Sequence, residues 1–311
     1  MKRLLAFLFL GALTALPMSA KIVRTVEKTF FVKPGGSLRA LTQGGDIIVR
    51  TGDDGKVTVT ARQTIRAETD AEADRLLEKL TLTIDEAGGD VTAEAKYERD
   101  RPSGWFRNWP PVSVDFIITV PLRYDAELRT SGGDIEVGSL IGMVKAHTSG
   151  GDIRLAKIDG DVDAHTSGGD ISLREGTARA KVHTSGGDIL IEKVAGPVDA
   201  GTSGGDIIIR SAASVVNAHT SGGDVRATLT SPFTADCSLG TSGGDVTVEF
   251  PKSSAFRLDA NTSGGDVDAS GLTITIERGG VGKSRLVGSV NGGGPLLKLR
   301  SSGGDINVRG G

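Results

Sequence analysis

The sequence predicts an all-β chain folded as a parallel β-solenoid, or β-helix, with coils of about 18 residues and one short helix near its N-terminal part. Three observations carry that prediction. The motif T-S-G-G-D ends at Asp134, Asp152, Asp170, Asp188, Asp206, Asp224, Asp245 and Asp266, and a variant S-S-G-G-D ends at Asp305. Its spacing is 18 residues five times, then 21 twice, then 39. Between motifs, apolar and polar residues alternate with the two-residue period of a strand.

In chain order, the first element is an export signal spanning 1–20. Lys2 and Arg3 precede an apolar run from Leu4 to Leu16, and Ser19-Ala20 supplies a cleavage point. The run is shorter than the ~20 apolar residues a transmembrane helix needs, so the mature chain is expected outside the cytoplasm, in the periplasm or at the cell surface, without a membrane span. Loss of Lys2 and Arg3 takes the formal charge from −3 to −5. A mildly acidic chain with interspersed charges argues against nucleic acid as a partner. Cys237 is the sole cysteine, so no intrachain disulfide forms. Aromatic residues make up 4% and glycine 45 of 311 residues, which suits small stacked coils better than a conventional globular core.

Residues 21–130 read as irregular early coils. Gln43-Gly44-Gly45-Asp46 opens Ile47-Ile48-Val49-Arg50, and Gly88-Gly89-Asp90 opens Val91-Thr92-Ala93. Between them Asp70 to Leu80 is predicted as a helix, with Ala73, Leu76, Leu77 and Leu80 on one face, placed to cover the first coil or the solenoid's side. The loop 97–111 brings Trp105, Phe106 and Trp109 beside Arg99, Arg101 and Arg107. Such residues suit a partner-binding patch, and equally a plug for an open solenoid end, which is the favoured reading.

Residues 131–311 are the regular solenoid. One residue after each Asp stands Ile or Val, as in Ile135, Ile153 and Ile171, and a second strand precedes the next motif, as in Val144-Lys145-Ala146 and Val162-Asp163-Ala164. Stacked at ~4.8 Å, these columns become aliphatic ladders inside a narrow tube. Cys237 falls in the column of Val144 and Val162, so a buried core thiol is expected. The Gly-Gly pair marks a corner, expected from the backbone angles glycine accepts. Right-handed winding follows from the general crossover preference.

Several of these features, namely G-G-D-I-I-V-R at Gly44 to Arg50, the helix, F-I-I-T-V-P at Phe116 to Pro121 and the coil ladder ending in L-L-K-L-R-S-S-G-G-D-I-N-V, resemble the DUF4097 family of bacterial repeat proteins, which carries an adhesin label. The resemblance covers most of the mature chain. It implies an envelope-associated β-solenoid and supplies no established catalytic residues.

Two columns stand out as candidate sites. The stacked Asp residues would repel by about 0.9 kcal/mol per neighbour even in water, so something must offset their charge. Hydrogen bonds from turn amides and from the adjacent Thr or Ser hydroxyls are the local answer. A row of bound Ca²⁺ along Asp134, Asp152, Asp170, Asp188, Asp206, Asp224, Asp245 and Asp266 is the alternative, although calcium β-rolls repeat G-G-x-G-x-D and the second glycine and its spacing are missing here. All four histidines, His147, His165, His183 and His219, occupy the position before the Thr and point outward by strand alternation, with Gly201 interrupting them. Such a column offers imidazoles to a transition metal, yet repeat duplication alone also accounts for it.

Arg278-Gly279-Gly280-Val281-Gly282-Lys283-Ser284 looks like a phosphate loop but lacks a following helix, since Gly288 and Gly292-Gly293-Gly294 come next. A solenoid turn is expected there and no nucleotide. Carboxylates are spread evenly along the coils, which suits a repetitive surface better than an active site. The sequence therefore points to an exported cell-envelope binding or scaffold protein, adhesin-like and without catalysis or a cofactor, whose partner is an envelope polymer, a glycan or a protein. The alternatives are a carbohydrate-active β-helix enzyme and an envelope element that self-associates through its ends.

Overall fold

The computed structural model describes residues 21–33, 35–98 and 111–311, with residues 277–281 described by their backbone alone. The leader 1–20 and the aromatic loop residues Trp105, Phe106, Arg107 and Trp109 lie outside the described residues.

In each regular coil the residues after the Asp form one strand and those before the next Thr a second, as in Ile153–Asp159 and Val162–His165. Each strand pairs in parallel with its copy one coil on. Ile153, Ile171, Ile189 and Ile207 stand in register in one sheet, and Val162, Ala180, Val198 and Val216 in the other. The result is two 14-stranded sheets facing each other across an aliphatic core. Alternation decides which side faces in: Ile153, Leu155, Val162 and Ala164 are at most 3% exposed, whereas Arg154 and His165 are exposed. Burying such a Leu, Ile or Val contributes about 1.5–3 kcal/mol, and no coil reaches that burial alone. Cys237 takes its place in the column beside Val216, whose N–H lies 3.4 Å from its sulfur. Burial pushes the thiol pKa up.

Both ends depart from simple stacking. The last coil, Leu296–Arg300 and Ile306–Gly310, is wedged between Cys237–Gly240 with Val246–Phe250 on one side and Phe256–Asn261 with Val267–Asp268 on the other. At the other end the coil of Ser37–Leu41 and Ile47–Thr51 lies between Asp90–Tyr97 with Val112–Val120 and Asp125–Arg129 with Ile135–Val137. In space, therefore, Asp245 is followed by Asp305 and only then by Asp266, so the regular ladder does not simply run on to the C-terminus.

The early region is more than irregular coils. Lys56–Arg66 runs antiparallel to both Lys21–Phe31 and Val112–Val120, and Leu80–Ala87 runs antiparallel to Asp90–Tyr97. The helix is Asp70–Leu77, shorter than the expected 70–80, because Leu80 already belongs to the strand Leu80–Ala87 with its alternating Thr81, Leu82, Thr83 and Ile84. The Thr69 hydroxyl caps it by accepting the Glu72 N–H at 3.2 Å. Ala73 is fully buried, and Leu76 and Leu77 pack against the core. Arg24 reaches Asp74 at 2.5 Å, so the helix rests against the outermost strand of its sheet.

The phosphate-loop-like segment is not a solenoid turn. Ile274–Gly282 and Arg285–Val290 form an antiparallel hairpin that pairs onto Phe256–Asn261. A strand-to-strand reversal presents no helix N-terminus to a phosphate.

Candidate functional site

The Asp column is a half-exposed seam along one corner. In each coil Oδ1 of the motif Asp accepts the backbone N–H of the Asp one coil on, at 2.7 to 2.9 Å throughout the regular repeats. The row extends beyond the motif: Asp134 N–H reaches Asp46, and Asp46 N–H reaches Asp115 at 3.2 Å. These amide donors are what offsets the stacked charge. The expected hydroxyl donors are elsewhere engaged, since Thr148 Oγ1 donates to the Gly133 carbonyl at 2.9 Å and accepts the Gly151 N–H at 3.3 Å. Arg154 pairs with Oδ2 of Asp134 and Asp152 at 3.0 and 2.5 Å, and Arg226 with Oδ2 of Asp224 at 2.6 Å. Arg154 and the Asp152 amide outweigh desolvation and hold Asp134 below the usual carboxylate range.

A mid-ladder substitution reads this seam directly. Asp170→Ala strands the Asp188 N–H and is expected to cost about 1–3 kcal/mol. Asp170→Asn keeps an acceptor oxygen and removes two like-charge neighbours, so its urea midpoint should stay within about 1 kcal/mol of the parent. Equal losses in both variants would show that charge, not hydrogen bonding, holds the column.

The motif glycines answer to space rather than to dihedral freedom. None has a positive φ, so the expectation from backbone angles is overturned. A Cβ on the second glycine, such as Gly151, would fall under 3.0 Å from the Gly133 carbonyl of the preceding coil. The first glycine is looser in the early coils, where a Cβ on Gly150 would meet nothing nearer than 3.7 Å, but at Gly222, Gly243, Gly264 and Gly303 it too would fall under 3.0 Å from a neighbouring coil's carbonyl.

The histidines do form one outward column. His147, His165 and His183 pair in register, followed by Gly201, His219, Gly240 and Arg300, with Arg129 before His147. The His147 and His165 rings lie 6.1 Å apart, and His183 Nε2 lies 3.8 Å from Asp199. Among the described residues no group of three or more His, Cys, Asp or Glu is placed to share a metal ion. Beside the column runs a row of alternating sign, Glu127, Lys145, Asp163, Lys181 and Asp199, whose neighbours compensate one another.

Along this corner lie two open stretches of one trough, about 950 Å³ and 560 Å³ in volume, which meet at His165. Histidines form one wall, buried threonines such as Thr148, Thr184 and Thr202 the floor, and the motif serines Ser131, Ser149, Ser167 and Ser203 the other wall. The spacing of the repeat shows the His and Ser columns but not that they line one trough, because a period does not say which columns face one another across a corner.

His147 differs from its neighbours. Burial lowers its pKa, Arg129 and His165 act the same way, and Asp163 and Glu127 oppose them; its Nδ1 is buried without a hydrogen-bond partner. A depressed histidine is neutral when folded, while the unfolded chain binds a proton as pH falls through about 6.5. Stability should therefore decline as pH drops from there through the folded value. His147→Gln should shrink the difference between urea midpoints measured at about pH 7.5 and about pH 5.5, and an unchanged difference would show that other groups carry it.

A family model described as Toastrack DUF4097 matches residues 41–309. No curated protein matches the chain. Among solved structures, a putative adhesin from Bacteroides fragilis NCTC 9343 is 16% identical with a TM-score of 0.38, covering 92% of this chain and 97% of its own. A putative adhesin from Parabacteroides merdae ATCC 43184 is 9% identical with a TM-score of 0.42, covering 93% and 96%. A putative lipid binding protein from Parabacteroides distasonis ATCC 8503 is 13% identical with a TM-score of 0.44, covering 91% and 96%. Likeness at this level carries nothing about ligands.

Proposed function

The chain belongs to the Toastrack DUF4097 family, and from that premise and the geometry of the trough we propose that it is an exported, non-catalytic binding and scaffold protein of the cell envelope, adhesin-like in action. The observation that carries this reading is the repetition of the trough itself. Coil after coil presents the same hydroxyl and backbone corner, with an imidazole beside it at His147, His165, His183 and His219, which suits an extended partner touched at many equivalent points. A hydrolase or lyase would instead single out one coil with a pair of carboxylates set apart by environment.

Export rests on Lys2, Arg3 and the apolar run to Leu16. Among the described residues no helix is long and apolar enough to cross a membrane. The partner is an envelope polymer, and neither nucleotide nor nucleic acid is involved. No cofactor is invoked either, since the ladder carboxylates from Asp134 to Asp245, and Asp305, each accept an amide from the next coil; the melting midpoint should be the same with Ca²⁺ and with chelator.

A glycan array probed with the mature protein tests the proposal, alongside an assay for fragments released from the same polysaccharides. Retained binding with no released product is expected. Release of shortened sugars would overturn the reading in favour of an enzyme.

A further inference from the structure

The serine of T-S-G-G-D occurs in all nine motifs, counting S-S-G-G-D, and is exposed in every one. Its neighbours in the motif have evident duties: the Thr hydroxyl and the Asp carboxylate each link two coils, and the second glycine leaves no room for a Cβ. The serine hydroxyls have none, for among the described residues none of them makes a hydrogen bond within the chain.

The turn itself does not demand serine. In the coil of Ser37–Leu41 the same position holds Gln43, and the seam is intact on both sides: Thr42 donates to the Val114 carbonyl, Thr130 to that of Gly45, and Asp134 N–H reaches Asp46. Repeat duplication does not account for the uniformity either. The outward position two residues after the motif Asp has passed through the same duplications, yet it reads Glu136, Arg154, Ser172, Leu190, Ile208 and onward, eight residue types in nine units. A surface position that stays fixed while another drifts marks the side of the rod where side-chain identity matters.

The chemistry of that side narrows the partner. Serine hydroxyls and imidazoles both donate and accept hydrogen bonds, as a hydroxyl-rich ligand requires. The lining carries Lys96, Arg129, Lys181, Lys298 and Arg300 against Glu94 and Asp199, an excess of cations on a chain whose formal charge is −3. Arg129 and Arg300 are each paired with a carboxylate outside the lining, Glu127 and Asp259; Lys96, Lys181 and Lys298 make no ion pair among the described residues, although Asp163 and Asp199 flank Lys181 and Asp259 flanks Lys298 in register. A positive trough on an acidic protein draws anionic ligands toward it. Among the described residues its lining has no Phe, Tyr or Trp on which bases would stack, unlike a single-stranded nucleic-acid channel.

We propose that the trough between the Ser and His columns docks a linear acidic glycan along the solenoid axis, with sugar hydroxyls on the serines and acid groups on Lys181 and Lys298. The inference rests on the binding-module reading and names the ligand class of that site.

Polygalacturonate is the probe, with its fully methyl-esterified form as neutral control and polyglutamate as an acidic polymer without sugar hydroxyls. Measured at low ionic strength, the mature protein should bind polygalacturonate and neither control. Ser149→Ala/Ser167→Ala/Ser203→Ala and Lys181→Glu/Lys298→Glu should each weaken binding by about tenfold or more. Arg226→Glu, on the opposite sheet, should leave it unchanged. Circular dichroism confirms that each variant is folded. Equal binding of polyglutamate, equal binding of the neutral ester, or unaltered affinity in both trough variants overturns the inference. Neutral glycans captured on the array with no polygalacturonate binding also overturn it, and leave the binding-module reading standing.

Discussion

Gly151→Ala should lower the stability of the protein by about 3 kcal/mol or more, whereas Gly150→Ala, one residue earlier, should change it by less than about 1 kcal/mol. The two positions share a turn, and neither has a positive φ, although Gly150 is exposed and Gly151 buried. They differ in what a methyl group meets. At Gly151 it strikes the Gly133 carbonyl and the Asp134 carboxylate of the preceding coil, neither of which can withdraw without breaking the seam hydrogen bonds to Thr148 and Asp152. At Gly150 the nearest atoms stand at ordinary contact distance. Urea denaturation of both variants decides the matter, and similar losses would mean that the glycines serve the turn's conformation after all.

Deleting residues 295–311 should do as much damage as deleting 251–311. The C-terminal coil is the middle layer of its end: Leu297, Leu299, Ile306 and Val308 are at most 1% exposed, and the strands of Phe256–Asn261 and Val267–Asp268 pair with the solenoid through it, with the Phe256 ring against Phe233 and Phe250 as their direct contact. Each of those side chains contributes about 1.5–3 kcal/mol by burial, and their loss uncovers Cys237, Leu239 and Val248 on one side and Leu258 on the other. Without the coil, residues 256–290 have no parallel partner, and the Cys237–Gly240 and Val246–Phe250 strands become open edges prone to pair with another copy. Limited proteolysis should trim the shorter deletion to the same core as the longer one. Persistent protection of residues 256–290 would show that this hairpin unit docks without the wedge.

How much of this was legible beforehand follows from which features are periodic. The spacing of the motif fixed the register of Ile153 on Ile171 and placed Cys237 beside Val216, because an aliphatic column tolerates no slip of one residue. The wedge was invisible, since S-S-G-G-D at Asp305 offers the same edge chemistry as every other motif; nothing in a repeat says which copy its neighbour is. The helix end was misplaced at Leu80 because an apolar residue at helical spacing equally begins a strand. The glycine duty was misassigned for a related reason: a close approach between coils leaves no local mark that separates it from a left-handed turn. On the site, the sequence exposed the His column and the Asp column and pointed to turn amides as donors to the carboxylates, but it added the neighbouring hydroxyls and sought the amides in the same turn, because the amide that satisfies each carboxylate belongs to the next coil.

The central claim is a division of labour within five residues: Thr, the second Gly and Asp hold the coils together, while Ser faces the partner. Its most direct test is the affinity for polygalacturonate of two matched variants, Asp170→Asn/Asp188→Asn in the seam and Ser167→Gln/Ser185→Gln/Ser203→Gln on the wall, the latter installing the residue that Gln43 already carries in the same turn. The division predicts that the seam variant binds like the parent and that the wall variant, folded and melting normally, loses binding. Retained binding by the wall variant, with loss in the seam variant, would contradict it.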